Sequence, residues 1–375
     1  MKKILSLVVA VSMIITLTAC ASSGNAAAEA PKETPAATEA ATEAPAATEA
    51  ATEAAKVADV ASSDTGEEAK EKIETVNADY YCEDQPRIFM TNAYYTAPFC
   101  APLHEQMEKS AKDYNVDLTI VDGKGDNNTQ YEQIQSAIDE GYDGIIYFPA
   151  DTAGTISIVK LLNDSGVPYS VIDSLVDSSV EDTITVFAGP NNITMGEVLG
   201  NAAVEKLADG GKVLMLSGSP GADPAIKRST GFHNIVDGVD SIEIMAEQWV
   251  DGWDTATAMS IMQDMITTYG EDIDLVFCAD DGIFQGAQQA LEAAGIMDKV
   301  TCLSTGANSY SCEQIRNGKL YGAVLHSAKE EGKLGLEACI DVIKGKIKQG
   351  DSKWYQCSSP LVTKENVDEW DGIGW

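Results

Sequence analysis

The chain reads as an α/β protein built from two doubly wound, parallel-sheet lobes joined by a three-strand hinge. Three observations predict this. From residue 86 onward, short apolar runs alternate with segments whose apolar residues fall at helical spacing. The runs are apolar on both faces, as strands covered by helices on each side must be. The alternation occurs twice over stretches of similar length, which gives two sheets rather than one long one.

The elements follow in order. Arg87–Thr91 reads as a strand, Pro98–Tyr114 as a helix and Asp117–Val121 as a strand. Helix Gln130–Glu140, strand Gly144–Phe148, helix Ala153–Leu162 and strand Pro168–Ile172 come next, then a strand over Thr183–Phe187. The second set opens with helix Met195–Leu207 and continues through strand Lys212–Leu216, helix Ala225–Val236 and strand Ile242–Val250. Thr255–Thr268 is helical, with Asp254 or Thr255 placed to cap it. Strand Leu275–Cys278, helix Ile283–Ala293, strand Val300–Leu303, a short helix near Tyr310–Arg316 and strand Leu320–Leu325 complete the set. Helix Lys329–Lys344 follows, and a strand pair near Trp354–Val362 is placed to cross back between the units. The lobes are therefore expected at 86–190 plus 327–356 and at 191–326 plus 357–375, with crossings near Asn191, Ser327 and Cys357.

What precedes residue 86 differs in kind. Lys2 and Lys3 lead an apolar run from Ile4 to Leu17, too short to span a bilayer, with small residues after it, the pattern of a secretory signal. Leu17-Thr18-Ala19-Cys20 resembles a bacterial lipobox, which implies removal of residues 1–19 and acylation of Cys20. Residues 20–80 are Ala, Thr, Glu and Pro with almost no large apolar side chains, and the unit Pro35–Ala44 recurs unchanged at Pro45–Ala54. Such a segment buries too little to offset chain entropy, so a disordered linker is expected. The protein is accordingly expected outside the cytoplasm, held to the membrane by its lipid alone.

With 59 acidic against 25 basic residues the formal charge is −34, which repels nucleic acid and anionic membrane surfaces. Seven cysteines remain after Cys20: Cys82, Cys100, Cys278, Cys302, Cys312, Cys339 and Cys357. An odd number cannot all pair within one chain, and no Cys or His cluster suggests a metal. Cys82 with Cys357 is the one pairing entertained.

The residues just after each predicted strand are Tyr94, Tyr95 and Phe99, Asp151, Asp173, Gly218 to Arg228, Trp253, Asp280 and Asp281, Gly306 and Asn308, and His326. In open α/β sheets these positions line the ligand crevice. Rings that cover C–H faces, mixed with charged groups that bond vicinal hydroxyls, suit a polyol. Gly218-Ser219-Pro220-Gly221 lacks the G-x-S-x-G spacing of a hydrolase elbow, and His104, His233 and His326 are too dispersed for a catalytic metal. No enzyme, cofactor or metal is expected.

From Pro86 to about Thr363 the text resembles the type I periplasmic sugar-binding proteins, the solute receptors of ABC importers, with ribose and galactose/glucose binders nearest. The pieces that carry the resemblance are Pro98-Phe99, Asp173, Gly218-Ser-Pro-Gly221, Arg228 before Gly231-Phe232, Trp253-Asp-Thr-Ala256, Ala279-Asp-Asp281 and Gly322-Ala-Val-Leu-His326. It implies that Phe99 and Trp253 face opposite sides of a sugar ring and that Tyr95, Asp173, Arg228, Asp280, Asn308 and His326 bond it, with Asp281 as helix cap. Ala97 and Ser174 depart from the family pattern, an acidic contact near Gly306 is missing, and nothing between Asp209 and Lys212 supplies a calcium loop. The resemblance implies a monomeric receptor that closes on a hexose or pentose, the galactose/glucose type favoured, and hands it to an ABC transporter permease. A receptor that passes a sugar-like signal to a sensory partner is the alternative.

Overall fold

The computed structural model describes residues 66–375. The expected signal peptide, Cys20 and the linker up to residue 65 lie outside the described residues. Among those described, the strands are β1 (Arg87–Asn92), β2 (Asp117–Asp122), β3 (Gly144–Phe148), β4 (Tyr169–Ile172), β5 (Val186–Gly189), β6 (Gly211–Ser217), β7 (Ile242–Trp249), β8 (Leu275–Cys278), β9 (Thr301–Gly306), β10 (Gly322–Leu325), β11 (Lys353–Gln356) and β12 (Leu361–Thr363). They form two six-stranded sheets, ordered β11-β5-β4-β3-β1-β2 and β12-β10-β9-β8-β6-β7. All neighbours run parallel except β10 and β12. The short helix Ser178–Glu181 precedes the strand expected at 183–187, the chain turns at its end, and β5 begins three residues late, at Val186.

The central strands are apolar along their whole length because they are covered on both faces. Ile145, Ile146 and Tyr147 of β3 and Val276, Phe277 and Cys278 of β8 are wholly buried, each large apolar side chain contributing about 1.5–3 kcal/mol by leaving water. The chain leaves the first sheet after β5, and helix Asn192–Lys206 packs on the second. After β10 it returns as helix Ala328–Ile343, which lies against β3, β4 and β5; β11 and β12 then fall in different sheets. Three segments thus pass between the lobes. The lobes also meet on the cleft side, where the Thr152 amide donates to the Gly221 carbonyl at 3.1 Å.

Residues 66–80, expected within the disordered linker, are instead ordered. Helix Gly66–Glu74 buries Ala69 and Ile73, an apolar pair one helical turn apart. Lys333, on the helix that covers the first sheet, donates to the carbonyls of Lys72 and Thr75. Gln106, on helix Cys100–Asp113 of the same lobe, reaches the Ile73 carbonyl. Gly66 lies so close to the backbone of Glu369, next to β12, that a Cβ would stand 2.4 Å from that carbonyl oxygen. The helix is therefore a strap with one hold on each lobe. All seven described cysteines are buried free thiols, so the pairing of Cys82 with Cys357 does not form; the Cys82 thiol lies 3.3 Å from the Tyr80 carbonyl instead.

Candidate functional site

Each sheet has the order in which the chain reverses direction beside its first strand, and ligand crevices open at the carboxyl ends of strands at such points. The two crevices face each other and make one cleft, which with its open mouth encloses about 550 Å³. Its walls come from both lobes. Tyr94 and Phe99 follow β1, Phe148 ends β3 and Asp173 follows β4; Arg228, Trp253, Asp280, Thr305 and His326 come from the second sheet.

Arg228 is the hub, and close helix packing puts it there. Helices Asn192–Lys206 and Asp223–Val236 cross at Gly196 and Gly231, where a Cβ would stand 2.1 Å from a carbonyl oxygen of the other helix. That contact brings Asn192 to Arg228, whose Nε donates to Asn192 Oδ1 at 2.9 Å. Nη1 donates to the Ala279 carbonyl at 2.9 Å, and Nη2 lies 3.1 Å from His326 Nδ1. Arginine can only donate, so Nδ1 accepts and the His326 proton sits on Nε2, which points to Glu331 Oε2 at 2.8 Å. Burial, with Arg228 beside it, holds His326 well below its ordinary pKa and therefore neutral. Burial also pushes Glu331 well above the carboxylate range. Asp173, His326 and Glu331 each offer a donor atom within 4.8 Å of one another. With the proton on Nε2, however, the imidazole faces them as a donor, and the set does not fit a metal ion.

Trp253 stands at a backbone turn made of two left-handed residues, Gly252 at φ 65° and Trp253 itself at φ 57°. The second is unusual for a bulky residue and costs on the order of 1–2 kcal/mol; it aims the indole back over β6. There the ring lies on Gly218, where a Cβ would stand 2.0–2.5 Å from three ring carbons. The Arg228 guanidinium lies 5.9 Å from the ring centre. Asp254 caps the next helix by accepting the Thr257 amide at 2.7 Å. On the other lobe Phe99 stacks on His326 at 4.4 Å between centroids and meets Trp375 edge-on at 6.0 Å.

Six of the eight residues expected to contact ligand, Phe99, Asp173, Arg228, Trp253, Asp280 and His326, line this cleft. The other two do not. Tyr95 is 38% exposed and stacks on His104 at 4.7 Å in the outer mouth, while its neighbour Tyr94 turns inward. The Tyr94 amide donates to Asn92 Oδ1 at 2.8 Å and its hydroxyl to the Ala150 carbonyl, so adjacent residues of one turn point opposite ways. Asn308 caps helix Ser309–Arg316 through the Ser311 amide. The roles expected of the aspartate pair are exchanged at the helix end: Asp280 is the cap, accepting from the Ile283 amide at 2.7 Å while still facing the cleft. Asp281 is buried beneath, accepting from Ser304 Oγ and the Asn308 amide. Trp375 is a wall that sequence reading missed. The Ser327 hydroxyl holds the Ile373 carbonyl, and Gly374 packs on the Ala307 carbonyl, which carries the indole to the cleft. The apolar Ile373–Trp375 triplet after an acidic stretch was the available signal.

A sequence profile of the family described as "Periplasmic binding protein domain" matches residues 88–347. The chain is 31% identical over 286 residues to a putative rhizopine-binding protein of Rhizobium meliloti, covering 75% of this chain and 91% of that one. It is 28% identical over 249 residues to the ribose import binding protein of Bacillus subtilis, covering 66% and 79%. Among solved structures it resembles an ABC transporter solute binding protein from Bacillus halodurans with bound myo-inositol, at a TM-score of 0.71 and 26% identity over 76% of this chain and 97% of that one.

Proposed function

The chain belongs to the periplasmic binding protein family, and from that premise we propose that it is an extracytoplasmic receptor that captures one ring polyol between its lobes. The reading is a monosaccharide or comparable cyclic polyol, a six-membered ring of the galactose or glucose type preferred, delivered to an ABC importer by a lipid-anchored monomer. One observation carries it: a single cleft takes its aromatic and charged walls from both sheets, with Phe99 and Asp173 on one side and Arg228, Trp253 and Asp280 on the other. A ligand that touches both walls bridges the lobes and so favours their closed arrangement. The three connecting segments are placed to act as the hinge. Two of the similar proteins, a ribose import protein and a structure holding myo-inositol, are named for small polyhydroxylated ligands.

No bond need be made or broken. Micromolar capture requires about 8 kcal/mol, which one stacked ring and a few charge-assisted bonds of roughly 1.5–3 kcal/mol each supply. The test is a thermal-shift panel of pentoses, hexoses and cyclic polyols on a chain that begins at residue 62 and so retains the strap. A true ligand at a hundredfold its dissociation constant stabilises by about 2.7 kcal/mol; no shift with any member refutes the reading. Anchoring has its own test, since Cys20→Ser should release the protein from membranes into the soluble fraction.

A further inference from the structure

A stiff element seated on both lobes limits how far they can part. We infer that the strap, helix Gly66–Glu74, is a brace across the hinge that weights the lobes toward their closed arrangement and so regulates the affinity of the cleft. Its bearing on ligand rests on the capture reading. The two holds differ in chemistry. Ala69 and Ile73 are packed into the core of the second lobe, and Gly66 lies on Glu369 of that lobe. The first lobe holds the strap by its backbone instead. The last carbonyls of a helix have no partner within it, and here the first lobe brings the donors. Lys333 Nζ bonds the Lys72 and Thr75 carbonyls, and Gln106 Nε2 the Ile73 carbonyl at 3.4 Å. An ammonium at this end also meets the negative pole of the helix. Past the helix the chain stays on the first lobe: Lys344 donates to the carbonyls of Asp79 and Tyr81 at 2.7 Å, and the Cys82 amide to the Tyr114 carbonyl at 2.9 Å. Nine helical residues, about 13 Å in length, form a stiff spacer between the two holds.

The strap lies where the lobes turn. Lys333 stands in the second turn of the helix that begins after Ser327, the second crossing. Lys72 is near enough to Cys357, at the third, for its charge to bear on that thiol. Glu330 accepts from the Ser358 amide at 3.1 Å and the Ser358 hydroxyl at 3.2 Å, which ties these two crossings together.

Both holds are made while the cleft is closed. The Thr152 amide and hydroxyl reach the Gly221 carbonyl at 3.1 and 3.4 Å, and Phe99 stacks on His326, each contact joining one lobe to the other. Rotation about the crossings moves Lys333 and Lys344 relative to the core that seats Ala69 and Ile73. A stiff helix cannot follow both, so opening must break one hold. The strap therefore favours closure, and a ligand that binds the closed form gains by that weight. By linkage the ligand tightens the strap in return.

The experiment uses the full chain made soluble by Cys20→Ser, with Ile73→Asp to drive the strap from the second lobe and Lys333→Met to loosen it from the first. Opening is read without ligand by thiol labelling located by mass spectrometry, because Cys100 is buried in the cleft wall and parting lobes uncover it. Affinity is read by calorimetric titration with myo-inositol, D-galactose and D-ribose. We expect each variant to speed labelling at Cys100 about fivefold or more and to weaken whichever probes bind by a similar factor, with the other six thiols unchanged. A strap released at one end no longer bridges, so the double variant should do no more than either single one. Unchanged labelling and affinity, faster labelling at all seven thiols, or effects that add in the double variant overturn the inference. Faster labelling at Cys100 with no binding by any probe, together with a blank thermal-shift panel, overturns the capture reading and leaves the brace standing.

Discussion

Gly218→Ala offers a test of the stacking wall that leaves every polar contact in place. A Cβ at position 218 would stand 2.0 Å from a Trp253 ring carbon, against ordinary contact at 3.4 Å and beyond. The ring must therefore retreat by about 1.4 Å, the difference of those two distances. Gly218 is not left-handed, so alanine meets no backbone strain and the added methyl is the whole perturbation. The indole is half-buried at the rim of the cleft and can yield into it, so the stability cost should stay below the roughly 1–3 kcal/mol of an overpacked core. Aromatic stacking contributes about 0.5–1.5 kcal/mol beyond area. Displacing the ring should cost that contribution and part of the contact area, a loss of about 5- to 30-fold in affinity. Trp253→Ala should cost more, about 2–3 kcal/mol. The assay is ligand titration of Gly218→Ala, Trp253→Ala and the double variant. If the methyl acts through the ring, its effect disappears in the Trp253→Ala background; an equal loss in both backgrounds refutes the argument.

Three further outcomes are expected. Ile73→Ala should lower stability by about 2 kcal/mol, and a chain begun at residue 81 should melt below one begun at residue 62, because Lys333 loses its acceptors at Lys72 and Thr75; equal melting temperatures would show that the strap holds nothing. Nuclear magnetic resonance titration should separate two histidines. His233, bonded to Glu247 and Asp237, titrates near 9, so its contribution is complete below about 6.5 and lost as pH rises through 9. His104, buried beside Asn92, titrates near 4, so stability falls as pH drops from about 6.5 toward 4. Finally, burial raises the thiols of Cys100, Cys278 and Cys302, among others; the seven described cysteines should react with a thiol reagent only after denaturation, and fast reaction at any of them in the folded protein would contradict their placement.

Much of the site was legible before any coordinates. Phe99, Asp173, Trp253 and His326 follow apolar runs, and in a parallel sheet the end of a strand is the rim of a crevice, so position in the pattern already places them; Arg228 stands inside helix Asp223–Val236, and it was the family resemblance that singled it out. The misplacements share a physical cause. Tyr94 and Tyr95 are adjacent in a turn, where no periodicity assigns a side, and the choice was made by the bond from the Tyr94 amide to Asn92. Asp280 and Asp281 are likewise neighbours; the helix starts at Asp281, two residues before the expected Ile283, which gave the cap to the first and buried the second under Asn308.

What the sequence determined by itself is the class of the fold and the chemistry available to the cleft. Alternating apolar and helical segments can bury their surfaces only as covered parallel sheets, and two such sets make two lobes. Which groups meet across distance was decided by tertiary structure alone. Trp375 reaches the same cleft as Tyr94 though 281 positions separate them in the numbering, and Ile73 finds a core that no local pattern announces. Local patterns fix how a segment folds, because they act through neighbouring residues. Closing two lobes on one small cleft depends on where distant segments come to rest.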